Sequence, residues 1–164
     1  MDYTIREIQP EDNETIAKVI RSILEEHGMN KPGTVYTDPT TDQLYELFQT
    51  PDSVYYVVEV EDEIVGGCGV YPTDGLPEGC AELVKLYLLK SSRGLGIGKT
   101  LLDLCADSAL KMGYQQLYLE SMPELSKAVG LYESVGYKKI ESPMGNSGHF
   151  ACDLWMIKSL TPAI

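Results

Sequence analysis

The segment that most restricts the fold runs from Leu83 to Gly113. There LVKLYLL is followed by KSSRGLGIGKT and then by LLDLCADSALKMG. The first part has the continuous apolar character of a buried strand. The last part repeats apolar residues at helical spacing. Between them Gly94, Gly96 and Gly98 alternate directly into the helix. A strand, a glycine turn and a helix in that order present a helix N-terminus, whose unpaired N–H groups and positive dipole end attract anions. An all-helical or all-strand chain is thereby excluded.

The rest of the chain fits around this unit. Tyr3–Ile8 alternates as a strand, and Pro10–Asp12 opens a helix with Asp12 as its N-cap. Ile16, Val19, Ile20, Ile23 and Leu24 form that helix's apolar stripe, and Gly28 ends it. Thr41–Phe48 reads as a second short helix. Ser53–Val60 and Ile64–Tyr71 read as strands joined by the hairpin residues Glu61, Asp62 and Glu63. Cys80–Leu89 is the strand before the glycine loop. Gln116–Glu120 (strand), Leu125–Val135 (helix), Tyr137–Ile140 (strand) and Phe150–Lys158 (strand) follow. No repeat or linker interrupts residues 1–164, so a single mixed α/β domain is expected.

Composition narrows the partners. No apolar run reaches the roughly 18 residues of a membrane span. The acidic start MDYTIREIQPEDNE has no apolar stretch of the kind found in secretory signals. Cys68, Cys80, Cys105 and Cys152 form no C-x-x-C pair and lie in apolar segments, which suggests buried thiols in the cytoplasm and no metal. The formal net charge of −12 argues against nucleic-acid binding, which needs a basic surface. It also means that an anion at the glycine loop must be held by local N–H groups against the general field.

Three phosphate loops can be compared with the motif. A nucleoside-triphosphate loop, G-x-x-x-x-G-K-S/T, is met by Gly98-Lys99-Thr100 but requires glycine where Arg93 stands. A dinucleotide fingerprint, G-x-G-x-x-G, is met by Gly94 and Gly96 but places Lys99 where helix–strand packing wants a small residue. Arg93-Gly94-Leu95-Gly96-Ile97-Gly98, by contrast, resembles the Q/R-x-x-G-x-G/A pyrophosphate loop of the GNAT acetyltransferase superfamily. A second segment, Ala128 to Tyr137 (AVGLYESVGY), is similar to that family's A-x-x-L-Y-x-x-x-G-F/Y helix end. The chain departs from the pattern at Leu125, where many members carry asparagine.

The resemblance implies the GNAT fold: a mixed, twisted sheet of about seven strands flanked by about four helices. It further implies an acetyl-CoA-dependent N-acetyltransferase acting by direct transfer in a ternary complex, with no metal. Its cofactor residues would be Leu86, Tyr87 and Leu88, whose backbone would meet the pantetheine arm, and the loop Arg93, Gly94, Leu95, Gly96, Ile97, Gly98, Lys99 and Thr100. Tyr132 resembles the family's tyrosine that protonates, or hydrogen-bonds, the coenzyme A sulfur. Glu82 is the expected general base, since Cys80, Glu82, Val84, Leu86 and Leu88 alternate on one strand face and place an acid among apolar residues. His149 and Asp153, read as sharing one face of the last strand, and Tyr36 are candidates for the acceptor pocket; His27 and Asp38 lie in the same loop region. The acidic charge favours a small cationic amine as acceptor, and a homodimer is possible within such a family. Two other readings stay open at this point: a non-catalytic acyl-CoA sensor and a dinucleotide-linked oxidoreductase.

Overall fold

The computed structural model describes residues 2–160. Its sheet has seven strands in the order β1-β2-β3-β4-β5-β7-β6. The strands are β1 (Tyr3–Glu7), β2 (Val54–Val60), β3 (Glu63–Tyr71), β4 (Cys80–Leu88), β5 (Gln116–Ser121), β6 (Lys138–Ile140) and β7 (Leu154–Ser159). Every neighbouring pair is antiparallel except β4 and β5. That parallel pair needs a crossover, which α3 (Ile97–Lys111) supplies. The other helices are α1 (Asn13–Glu26), α2 (Leu44–Leu47) and α4 (Ser126–Ser134).

Each sheet face has its own core. On one, Leu101, Leu102 and Cys105 of α3 and Val129 and Tyr132 of α4 pack on Val58, Cys68, Leu83 and Leu117. On the other, Ile16, Ile20 and Leu24 of α1 pack with Leu44, Tyr55 and Val57. The α1 stripe is buried as its spacing requires, with each such side chain contributing about 1.5–3 kcal/mol. Asp12 stands at the N-cap position of α1 but makes no side-chain cap bond. Its carboxylate instead accepts from both terminal nitrogens of Arg6, at 2.7 and 2.9 Å, and from the Gln9 N–H at 2.7 Å.

Two expectations are corrected by the strands around the centre. The β4 alternation does not run unbroken. Gly67 pairs with Tyr87 and Gly69 with Val84, so Cys68 faces two residues, Lys85 and Leu86. This is a β-bulge, and Lys85 adopts a left-handed φ of 57° to make it. The extra residue shifts the phase. Val84 packs with Tyr87 and Leu89 on the α1 face, while Leu86 and Leu88 join the opposite core. Glu82 and Val84 therefore do not share a face with Leu86 and Leu88.

The last strand is also shorter than Phe150–Lys158. It begins at Leu154, opposite the end of β5 at Ser121. Before that point the chain turns, the Cys152 N–H reaching the His149 carbonyl at 3.0 Å. Gly148 takes a left-handed φ of 80°, and the Ala151 N–H is diverted to the Gly33 carbonyl at 3.1 Å. His149 and Asp153 thus belong to this turn and not to a common strand face. The expected second helix narrows as well, Pro39–Gln43 forming a 3-10 turn before α2.

Candidate active site

Strands β4 and β5 pair only over Cys80–Glu82 and Gln116–Tyr118. Beyond Glu82 they diverge, and a cleft of about 820 Å³ opens between them, reaching α3, α4 and the C-terminal part of α1. Leu86, Tyr87 and Leu88 line it. On its β5 side this stretch of β4 has no strand partner, so its backbone groups there are available to an extended ligand.

The glycine loop closes one end. Gly94 and Gly96 have φ of 84° and 79°, a region that side chains with a Cβ avoid. Gly96 is the N-cap of α3 and leaves its first N–H groups without a side-chain cap. Gly98 has an ordinary helical backbone. A Cβ there would come 2.7 Å from Leu131 Cδ2 of α4, the far end of a flexible side chain that has to turn aside to admit it. Arg93, Gly94, Gly96, Ile97, Gly98 and Lys99 line the cleft. Leu95 is exposed to solvent at 41%, and Thr100 turns its hydroxyl to the Gly96 carbonyl at 3.1 Å and to Tyr3 at 3.1 Å. The Arg93 guanidinium is paired with Glu26 at 2.9 and 3.2 Å, and its Nε donates to the Leu88 carbonyl at 2.9 Å. Its charge is thus partly neutralised, and it fastens the loop to α1 and β4.

Glu82 sits deep in this space, 4% exposed. Burial pushes its carboxyl up to about 7, against the pull of the Thr73 hydroxyl, which donates to it at 2.5 Å. Glu120 lies beside it, accepting from the Tyr118 hydroxyl at 2.7 Å and from the Ser147 hydroxyl. His149 Nε2 meets Asp38 at 2.6 Å, and its Nδ1 stands 3.8 Å from Glu120. Coordinating atoms of Glu82, Glu120 and His149 lie within 4.8 Å of one another, a spacing a divalent ion could use. In the structure they are engaged with Thr73, with Tyr118 and Ser147, and with Asp38, forming a hydrogen-bonded network of titratable groups.

Tyr132, on α4, also lines the cleft. It is 7% exposed, and its ring meets that of Tyr137 edge to face at 5.8 Å. Its hydroxyl makes no hydrogen bond to protein among the described residues, and burial raises its pKa well above that of a free tyrosine. It therefore keeps its proton at neutral pH and is free to act as a hydrogen-bond donor into the cleft.

A second cavity, of about 390 Å³, lies between the loop after α1, β3 and the 144–149 loop. It shares Glu82, Val84, Lys85 and His149 with the larger cleft. The two spaces meet at the buried carboxyl. Of the expected acceptor residues, His149 is at this junction, while Tyr36 donates to Glu25 at 3.0 Å, away from both cavities, and Asp153 is exposed outside their linings. Asp38, a candidate from the N-terminal loop region, is brought to His149 at this junction, whereas Glu120 and Lys85 were not singled out for this site by the sequence. Asp38 and His149 are 111 residues apart, and no local signal links them. Cys152 lines the cleft with its thiol pushed up to about 12 by burial, which disfavours a thiolate.

The profile of the acetyltransferase (GNAT) family matches residues 20–137. The uncharacterised N-acetyltransferase YjgM of Escherichia coli strain K12 is 37% identical over 157 residues, covering 95% of this chain and 94% of its own. A GNAT-family acetyltransferase structure from Staphylococcus aureus Mu50 superposes with a TM-score of 0.87 at 19% identity, covering 98% of this chain and 100% of that one. The PaiA N-acetyltransferase of Thermoplasma acidophilum, solved with coenzyme A, superposes with a TM-score of 0.73 at 20% identity, covering 97% and 99% of the two chains.

Proposed function

The chain belongs to the GNAT acetyltransferase family, and from that premise we propose that it transfers an acetyl group from acetyl-CoA directly to a primary amine. The observation that carries this reading is the junction itself: a buried carboxyl among the few residues that the two described cavities share. The larger cleft suits an elongated cofactor, with unpaired β4 backbone along its length and a helix N-terminus at its end. The smaller cavity would admit the acceptor from the opposite side, and Asp38, Asp74 and Glu82 would draw a protonated amine into it.

The reaction then needs two proton movements. An alkylammonium titrates near pH 10 and must lose a proton before its nitrogen can attack. Glu82, held at about 7, accepts that proton either directly or through water. The amine nitrogen forms the new bond to the acetyl carbonyl carbon, the carbon–sulfur bond breaks, and the departing sulfur takes the Tyr132 proton. A backbone N–H of Leu86 to Leu88 is suited to the developing oxyanion. No acyl-enzyme is required, in keeping with the unreactive Cys152.

Titration with acetyl-CoA, coenzyme A, ATP and NAD tests the donor. A ligand at about 100 times its Kd adds roughly 2.7 kcal/mol of stability, which a melting curve reads. Stabilisation by the two coenzyme A species alone is expected; stabilisation by ATP or NAD alone overturns the reading. Glu82→Gln then tests the chemistry. Coenzyme A affinity should be unchanged while kcat for thiol release falls about 10²–10⁴-fold. Retained turnover would remove Glu82 from the base role.

A further inference from the structure

The smaller cavity contains one group for which acetyl transfer to a simple amine has no use. Lys85 is the one lysine among the residues lining it, and it lies at the junction with the cofactor cleft. The bulge holds it there: φ is 57°, and its carbonyl accepts from the buried Tyr55 hydroxyl at 2.9 Å. Its ammonium forms no ion pair or hydrogen bond among the described residues, although Asp38 and Glu82 are close enough to act on its charge. Those two carboxylates have other partners, His149 and Thr73. Burial works against the charged form of Lys85. Lys85 is half-buried, and a cation there without a direct partner gains a charge-assisted bond when a ligand brings an anionic group.

We infer that the acceptor is a small zwitterion of amino-acid type, its ammonium turned to Glu82 and its carboxylate held by Lys85. The inference rests on the acetyl-transfer reading and adds the anionic half of the acceptor. A diamine would bring a second cation to the cavity that already holds Lys85. An α-amino acid carries both charges on one small frame, which suits a cavity of about 390 Å³, near the lower end for ligand sites. The carboxylates of the pocket and its lone lysine then each meet one end of the acceptor.

The test compares α-amino acids of each side-chain class with their α-carboxamides and their decarboxylated amines. The readout is kcat/KM for thiol release, in the wild type, Lys85→Met and Lys85→Gln, with coenzyme A binding measured in all three. The wild type should prefer the free acids over the carboxamides by about tenfold or more, since a charge-assisted bond is lost. Both variants should lose that preference through KM, with the coenzyme A affinity of each separating an effect on the acceptor from one on the cofactor. If the wild type uses carboxamides or plain amines as well as the acids, or the variants keep the preference, the zwitterion assignment falls and acetyl transfer stands. If acetyl-CoA binds and no amine of any class releases thiol, acetyl transfer to amines falls and takes the assignment with it. Should both variants fail to bind coenzyme A, the wild-type comparison of acid with carboxamide decides alone.

Discussion

At neutral pH the Glu82 carboxyl stands near its midpoint, because burial has pushed it up to about 7. An acid whose folded-state pKa lies above its unfolded value binds more protons folded than unfolded. Stability therefore declines as pH rises from about 4.5 to 7 and levels off above. The difference of these values corresponds to roughly 3 kcal/mol at most. Glu82→Gln removes this penalty, so the variant's melting temperature should exceed the wild type's by several degrees more at pH 8 than at pH 5. A pH-independent difference would mean that Glu82 ionises normally. The rate of wild-type turnover should fall below pH 7, as the base becomes protonated. Glu82 was legible in the sequence because it is an acid in an apolar strand, and Tyr132 because of its LYxxxGY surroundings. Glu120 was not legible as a site residue, and Asp38 only as one of several loop candidates, because their partners Ser147 and His149 come from elsewhere in the fold.

Among the elements, the strand–loop–helix from β4 to α3 carries most of the site. Its glycines divide into two kinds. Gly94 and Gly96 have no atom within 4 Å of where a Cβ would stand, so their requirement is conformational alone. Gly98 is a packing position, where a Cβ would press on the movable end of Leu131 of α4. Gly96→Ala should therefore cost about 1–2 kcal/mol of stability, as a non-glycine residue is forced into the left-handed region. It should also weaken coenzyme A binding, since the first turn of α3 is displaced. Thermal unfolding and calorimetry check the two effects, and unchanged values in both would mean the loop tolerates the side chain. The β4 bulge escaped the sequence because a period of two continues to look intact when one residue is inserted into an apolar run. Here LVKLYLL offers apolar residues to both faces on either side of Lys85. The start of β7 escaped it because strand pairing ends where the partner β5 ends.

For the molecule as a whole, the net charge of −12 sets the field that an anionic cofactor must enter. The bound anion is expected to rest on local N–H groups, but its approach crosses a repulsive potential. Raising ionic strength screens that potential. Association of coenzyme A should therefore become faster between low salt and about 0.15 M, the reverse of the behaviour of a basic binding protein. Stopped-flow rates that fall with salt would show a local positive field that outweighs the total charge. No helix among the described residues is long and apolar enough to cross a membrane.

Residue order alone was enough to identify the family, the mixed sheet and its helices, and the glycine loop. All of these are written in short-range patterns: periodicity, glycine spacing and motifs within single elements. The folded chain was needed to part β4 from β5 after Glu82 and to make two cavities meet there. Folding also brought His149 to Asp38 and left Lys85 between the cavities, with no hydrogen-bond or ion-pair partner among the described residues. Those features depend on where distant segments come to lie, and on a bulge that turns one strand's faces over, neither of which any local run of residues encodes.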